Sequence, residues 1–305
     1  MAGPVDGLLE RINGVILGKE EAARLAVACL LARGHLLIED LPGVGKTTLA
    51  HALARLLGLE FQRIQFTSDL LPADIIGASV FERDTGTFVF HPGPLFAQLV
   101  LADEVNRATP KTQSALLEAM GERQVSVEGE TRALPEPFFV IATQNPQTQV
   151  GTFPLPESQL DRFHMRIALG YPDARAEREL LQGEDRADLL LRLEPALTPA
   201  ELERLQQRVP QIHAADALVD YVQALVAHTR SVGRFRTGLS PRAGLALLRS
   251  AQAWALVDGR EAVIPEDVQA VFGAVAGHRL HPLPEEEGRA AEEHAAGILE
   301  EVAIP

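Results

Sequence analysis

The chain has little of several things. Its 305 residues include one cysteine, Cys29, and only 5% aromatics. A lone thiol excludes an internal disulfide and fits a reducing compartment, and its apolar neighbours in LAVACLLAR make Cys29 a core residue before a reactive one. With so few rings, any core must be built from Leu, Val, Ile and Ala. No run of about 18 apolar residues occurs, and the N-terminal MAGPVDGLLERINGVILG lacks the basic start and apolar stretch of a secretory signal. The expectation is a soluble cytoplasmic protein with no membrane span. Positive charge is also short, since 28 Lys and Arg face 42 Asp and Glu for a formal net charge of −14. Such a surface disfavours nucleic acid, whose counterions must be displaced by cations, although a local basic channel stays open. The histidines show no metal-ligand spacing, so His51, His164 and His278, like Trp254, are expected to be structural.

What remains is a globular balance of 46% apolar and 23% charged residues, in a chain long enough for roughly two domains. Residues 20–33, EEAARLAVACLLAR, place apolar side chains at helical spacing, and HLLIE after them reads as a short buried strand. The turn DLPGVG follows, and KTTLAHALARLLG reads as a helix ended by Gly58. FQRIQF (61–66), LVLAD (99–103), FFVIAT (138–143) and HMRIAL (164–169) are further strand candidates. Near-continuous apolar runs separated by helical segments predict an α/β core with a five-stranded parallel sheet covered on both faces. Two hairpin insertions interrupt it. In SVFERDTGTFVF two β-prone runs flank a turn whose Gly86 can take φ > 0, and RQVSVEGETRAL alternates across Glu128 and Gly129.

After Tyr171 and Pro172 the strand signals stop. Helices are expected at 173–185, 199–208, 215–230, 241–257 and 265–276, two of them starting with Ser or Thr before Pro and a third with Pro265 at an early helical position. The acidic PEEEGRAAEEHAAGILEEV reads as a last amphipathic helix with Ala295, Ile298, Leu299 and Val302 on its buried face. The domains are therefore expected to be 1–171, the α/β core, and 172–305, a smaller all-α lid.

Chemistry gathers at three strand ends. A triphosphate needs converging backbone N–H groups, a cation for its β- and γ-phosphates and a hydroxyl for Mg²⁺. In EDLPGVGKTTLA, Gly43, Val44 and Gly45 can form the turn, Lys46 is the cation and Thr47 the hydroxyl, at the start of a helix whose dipole favours anions. Asp40 stands where the usual pattern has its first glycine. That position only begins the loop, so the departure is expected to bear little on the chemistry. In LVLADE, Asp103 and Glu104 leave a buried strand at its carboxyl end, where open α/β sheets bind ligands; Asp103 would hold Mg²⁺ through its water shell and Glu104 would orient the attacking water. FFVIATQNP brings Gln144 and Asn145 to the next strand end, where a neutral amide can position that water without repelling it.

EDLPGVGKTTLA, LADEVNRATPKTQSALLEAM, ATQNP, LPESQLDRF and LSPRA, in that order, resemble the Walker A, Walker B, sensor 1, arginine-finger and sensor 2 motifs of AAA+ ATPases and, within that superfamily, of the MoxR family. The resemblance runs most of the chain. It implies ATP with Mg²⁺ as cofactors, held by Pro42, Gly43, Val44, Gly45, Lys46, Thr47 and Thr48, with the metal at Thr47 and Asp103. Adenine would lie near Ile16, Leu17 and Gly18. It also implies a homo-oligomeric ring, usually a hexamer, in which Arg162 reaches the γ-phosphate of the adjacent subunit, with Arg107 as a rival for that role. A finger supplied in trans is worth ~10³ to 10⁵ in rate for related phosphoryl transfers. Arg242 would reach the same phosphates from the lid. The hairpins correspond to inserts that handle clients, which makes Phe81, Phe88 and Phe90 candidates for contact, although hairpin packing explains each equally well.

The function implied is a chaperone-like ATPase that remodels, matures or inserts metal into client proteins, acting with a von Willebrand factor A domain protein. Three alternatives stay open: a nucleotide-gated scaffold with little turnover, a nucleic-acid motor, and a magnesium-chelatase-type ATPase subunit.

Overall fold

The computed structural model describes residues 5–84, 86–145, 151–284 and 290–304. Pro146 of ATQNP, Thr85 of the first hairpin turn and residues 285–289 of the acidic stretch lie outside them. The strands are β1 (Leu36–Glu39), β2 (Phe61–Gln65), β3 (Gly77–Glu82), β4 (Thr87–Pro92), β5 (Leu99–Asp103), β6 (Gln124–Val127), β7 (Glu130–Ala133), β8 (Phe139–Gln144) and β9 (Met165–Ile167). The helices are α1 (Asp6–Val15), α2 (Glu20–Leu31), α3 (Lys46–Leu56), α4 (Pro72–Ile76), α5 (Pro110–Glu122), α6 (Glu157–Leu160), α7 (Ala174–Gln182), α8 (Arg186–Arg192), α9 (Pro199–Arg208), α10 (Asp216–Ser231), α11 (Pro241–Val257), α12 (Pro265–Ala276) and α13 (Ala291–Glu301).

Five strands form one sheet in the order β2-β5-β8-β1-β9. β5 pairs in parallel with β2 and with β8, and the registers set Gln65 beside Asp103 and Ala102 beside Ala142. The expected parallel sheet is therefore present. The inner strand β5 is buried at every position, while the edge strand β2 buries only Ile64 and turns Arg63 and Gln65 outward. Those two polar residues end on the side where β5 delivers its carboxylates.

Both expected hairpins are present, β3 with β4 and β6 with β7, each antiparallel. In the second, Glu128 (φ 53°) and Gly129 (φ 81°) are both left-handed, the turn whose twist matches the flanking strands. The base of the first demands glycine for closeness. A Cβ on Gly77 would lie 2.3 Å from the His91 carbonyl oxygen, and one on Gly93 would lie 2.5 Å from the Gly77 nitrogen. Phe81 and Phe88 face each other edge to face at 5.3 Å near the tip and are 51% and 72% exposed. Phe90 is half-buried, 5.7 Å from Phe96 and under the Arg132 guanidinium at 4.0 Å.

Contacts gather the chain into two units, Met1–Leu36 with Phe163–Ile167 and Ala200–Pro305, and Leu37–Arg162 with Ala168–Pro199. This grouping differs from a single cut between 171 and 172, because α2 shares a core with the C-terminal helices. Ala23, Ala26 and Leu30 of α2 are buried in the unit that also buries Ala251 and Ala255 of α11. α12 adds Val268, Val271 and Phe272, fully buried side chains worth about 1.5–3 kcal/mol each. α13 buries Ala295 and Ile298, while Leu299 and Val302 are half-buried. Ser240 caps α11 by accepting from the Ala243 N–H at 3.1 Å, with Pro241 at the first helical position as expected.

In the other unit, the end of α3 is satisfied by the chain after α8. The N–H groups of Ala196 and Leu197 donate to the Leu56 carbonyl at 2.7 and 3.0 Å. Gln113 of α5 is wholly buried, and its amide donates to the carbonyls of Val105, Ala108 and Phe153 at 3.2, 3.2 and 2.9 Å, pinning the loop that follows β5. The expected helix at 173–185 is shorter, ending at Gln182, and α1 and α8 lie where no helix was expected. Among the described residues no helix is long and apolar enough to cross a membrane.

Candidate nucleotide site

The loop after β1 turns through two left-handed glycines, Gly43 (φ 84°) and Gly45 (φ 100°). A Cβ on either would meet nothing within 4 Å, so glycine is needed here for backbone conformation and not for crowding. Successive N–H groups in such a turn make a concave anion nest. α3 begins at Lys46 with no side-chain cap, which leaves its first N–H groups for a ligand. Lys46 is 8% exposed. Its ammonium donates to the carbonyls of Asp40 and, at 3.0 Å, Leu41, and to Asn145 Oδ1 at 3.3 Å. Burial pulls its pKa below the usual lysine value, and the negative charges of Asp40, Asp103 and Glu104 oppose that pull.

Across the sheet, Asp103 ends β5 at 8% exposure. Its Oδ1 accepts from the Thr143 hydroxyl at 2.6 Å, and its Oδ2 takes both Arg63 Nε at 3.2 Å and Nη2 at 2.5 Å. Glu104 follows in the left-handed region (φ 56°, ψ 48°), which costs a non-glycine residue about 1–2 kcal/mol. Thr143 accepts its N–H at 2.9 Å and so helps hold that conformation. The Glu104 carboxylate meets Asn145 Nδ2 at 3.3 Å on one oxygen, and Gln65 Nε2 and Arg107 Nε at 3.0 Å each on the other. Lys46, Asn145 and Glu104 thus form one polar chain from the phosphate loop to the acid.

Three members of this cluster were not anticipated from sequence: Thr143, Gln65 and Arg63. Their signal was present but faint, two polar residues at alternate positions of FQRIQF and a lone hydroxyl closing the apolar run FFVIA. Asp40 also does more than expected. It is 7% exposed, and its carboxylate accepts three backbone N–H groups: Leu41 at 2.7 Å, Leu169 at 2.5 Å and Gly170 at 2.6 Å.

Pro42, Gly43, Val44, Gly45, Lys46, Thr47, Thr48, Asp103, Glu104, Asn145 and Arg162 all belong to one unit, and Ile16, Leu17, Gly18 and Arg242 to the other. Arg162 lies along α5, donating to the Leu117 carbonyl at 2.7 Å. Arg242 is exposed in the first turn of α11, Ile16 is buried, and Gly18 is left-handed at φ 67°. Arg107 is paired with Glu104. Among the described residues no group of three or more His, Cys, Asp or Glu is placed to hold a metal ion. The donors present, one hydroxyl in the first turn of α3 and one carboxylate at a strand end, suit Mg²⁺, which takes one or two protein oxygens and completes its shell with phosphates and water.

Residues 35–165 match the ATPase family associated with various cellular activities (AAA), and residues 227–301 match the AAA lid domain. The protein YeaC of Bacillus subtilis is 45% identical over 97% of this chain and 93% of its own length. Chaperone MoxR1 of Mycobacterium tuberculosis is 41% identical over 88% and 73%, and protein MoxR of Paracoccus denitrificans 35% identical over 91% and 88%. A crystal structure described as a candidate ATPase from Cytophaga hutchinsonii superposes with a TM-score of 0.90 at 34% identity, covering 99% of this chain and 94% of that one. With this sheet order, this lid and these identities over nearly its whole length, the chain belongs to the MoxR family of AAA+ ATPases and is an ATP hydrolase.

Proposed function

We propose that the chain hydrolyses ATP at the subunit interfaces of a homo-oligomeric ring, a hexamer, to remodel a client protein. The observation that carries the reading is the polar chain from Lys46 through Asn145 to Glu104, with Asp103 beside it. In it, residues 42–48 cradle the phosphates and Lys46 exchanges its carbonyl partners for the β- and γ-oxygens. Thr47 and Asp103 hold Mg²⁺, which when bound neutralises charge on those phosphates. Glu104 orients and polarises the attacking water, and Asn145 keeps that carboxylate and the water aligned. Arg162 acts on the nucleotide of the neighbouring subunit, Arg242 couples the lid at 172–305 to the core at 1–171, and Ile16, Leu17 and Gly18 receive the adenine.

The client side rests on the hairpins. An exposed aromatic pair, Phe81 and Phe88, suits transient contact with apolar protein segments. A von Willebrand factor A domain protein as partner, and maturation or metal insertion as the outcome, follow from the MoxR family alone.

The deciding experiment pairs two measurements. Wild-type protein should turn over ATP with Mg²⁺, and Glu104→Gln should bind ATP, fail to turn it over and retain a client that co-purifies. An assembled wild type with no turnover would end the motor reading. Stimulation by single-stranded DNA, with none by protein, would replace the client reading with a nucleic-acid motor.

A further inference from the structure

Asp40 is a buried carboxylate at the loop position where the strict phosphate-binding pattern has the first of its two glycines. A buried carboxylate persists only when its oxygens are well paired. Here the pairing is entirely with backbone. Oδ1 takes the N–H of the next residue, Leu41, and Oδ2 takes the N–H groups of Leu169 and Gly170, which follow β9. The main chain of Asp40 is engaged as well. Its N–H donates to the last carbonyl of β8, that of Gln144, at 3.2 Å, and its own carbonyl accepts the Lys46 ammonium.

These contacts make one peptide the meeting point of β8, the segment after β9, and the lysine. Rotating the Asp40–Leu41 peptide would move the carbonyl that holds Lys46, and the three carboxylate contacts prevent that rotation. Glycine at this position would supply none of them and would free the backbone besides. The carboxylate also faces the ammonium electrostatically, favouring its charged form against burial.

We propose that Asp40 is a positioning residue for ATP binding: it clamps the first peptide of the phosphate loop to the backbone of Leu169 and Gly170 and thereby sets the reach of Lys46 toward the phosphates. The inference rests on the ATP-site reading above. It also predicts reciprocity, because a nucleotide that draws Lys46 forward must tighten the clamp behind it.

The test compares wild type, Asp40→Gly, Asp40→Asn and Lys46→Ala by binding of a fluorescent ATP analogue with Mg²⁺, by steady-state kinetics and by thermal melting. Asp40→Gly should weaken ATP binding and raise KM by about tenfold or more, the scale of lost hydrogen bonds to a charged group, while kcat changes by less than about threefold. Asp40→Asn keeps an oxygen for Leu169 and Gly170 and should recover a clear part of the loss. Asp40→Gly binding as tightly as wild type would overturn the inference, as would equal loss in the Gly and Asn variants. Should Asp40→Gly not fold, hydrogen exchange on wild type decides. The peptide carrying the Leu169 and Gly170 amides should gain protection when a non-hydrolysable ATP analogue binds, and unchanged protection overturns the clamp. Binding by wild type and its loss in Lys46→Ala report on the nucleotide site separately. If wild type binds no ATP, the site reading falls and this inference with it.

Discussion

The Thr143 hydroxyl lies 2.6 Å from Oδ1 of Asp103. The Thr143 hydroxyl oxygen in turn accepts the N–H of Glu104, so one side chain on β8 orients both acids at the end of β5. Thr143→Val keeps the shape and removes both bonds. It should lower ATP turnover by about 10- to 100-fold, the usual effect of losing a group that orients a metal or catalytic ligand, and cost about 1–3 kcal/mol in stability. Thr143→Ser should stay near wild type. Val and Ser variants with equal activity would show that the hydroxyl does not orient either acid.

Glu104→Gln keeps the size of the side chain and removes the carboxylate proposed to orient the attacking water. Hydrolysis should fall by about 10²- to 10⁴-fold, the range of a positioned acid–base group, with nucleotide affinity held within a few-fold. Loss of binding in step with turnover would instead place Glu104 among the binding contacts. A radiolabelled turnover assay beside equilibrium binding separates the two.

Gly121 sits in the last turn of α5, and a Cβ there would lie 2.6 Å from Arg162 Nη1. The tip of an arginine gives way easily, so Gly121→Ala should not lower the melting temperature and gains about 1 kcal/mol of helix propensity. Arg162 must move, however. If Arg162 acts across the ring, turnover of the assembled protein should drop by about tenfold or more while ATP binding stays intact, a modest share of what a trans arginine contributes. Unchanged turnover, with Arg162 shown displaced, would move the finger role to another residue.

His278 is buried, donating its Nε2 proton to the Phe163 carbonyl at 3.0 Å, and its Nδ1 has no hydrogen-bond partner among the described residues. Burial drives its pKa well below the usual histidine value, with the positive charges of Arg279 and Arg166 and the ring of His164 adding to the effect and the Phe163 carbonyl opposing it. The folded protein therefore keeps the ring neutral while the unfolded chain binds the proton. Stability from this residue is fully present above the unfolded pKa, about 6.5, and is lost as pH falls below it, by at most about 1.4 kcal/mol per pH unit. His164, whose pKa burial lowers to about 3, contributes a slope of the same sign, so denaturant unfolding at pH 7, 6 and 5 should show at least one residue's slope, and His278→Gln should reduce it without abolishing it. Equal slopes in the two proteins would assign the acid sensitivity elsewhere.

The sheet was legible because buried parallel strands must be apolar throughout: LVLAD and FFVIA admit few other readings once a glycine-bearing loop precedes a helix. The lid helices were legible from their Ser, Thr and Pro starts. α1 and α8 were not, since DGLLERINGV carries two glycines and an asparagine and RADLLLR is only about two turns long. The site divides in the same way. Lys46, Asp103, Glu104 and Asn145 stand in recognisable spacings at strand ends. Thr143 and Gln65 gain their meaning only from register, which sets Gln65 beside Asp103 and places β8 against β5. Asp40 is the sharpest case. Its partners lie 129 and 130 residues away in sequence and are backbone amides, groups that every residue carries and no sequence pattern marks.

The pinch at Gly77 and Gly93 has a consequence for how this protein can be altered. β2 and β5 are neighbours in the sheet, yet the chain between them detours through residues 66–98 and the hairpin of β3 and β4. Because the two legs meet backbone to backbone at those glycines, changes confined to the residues beyond them are expected to leave the pairing of Gln65 with Asp103 in place. The hairpin is a cassette, and if it contacts the client as proposed above, swapping its tip should change which segments are bound while ATP turnover stays as it was.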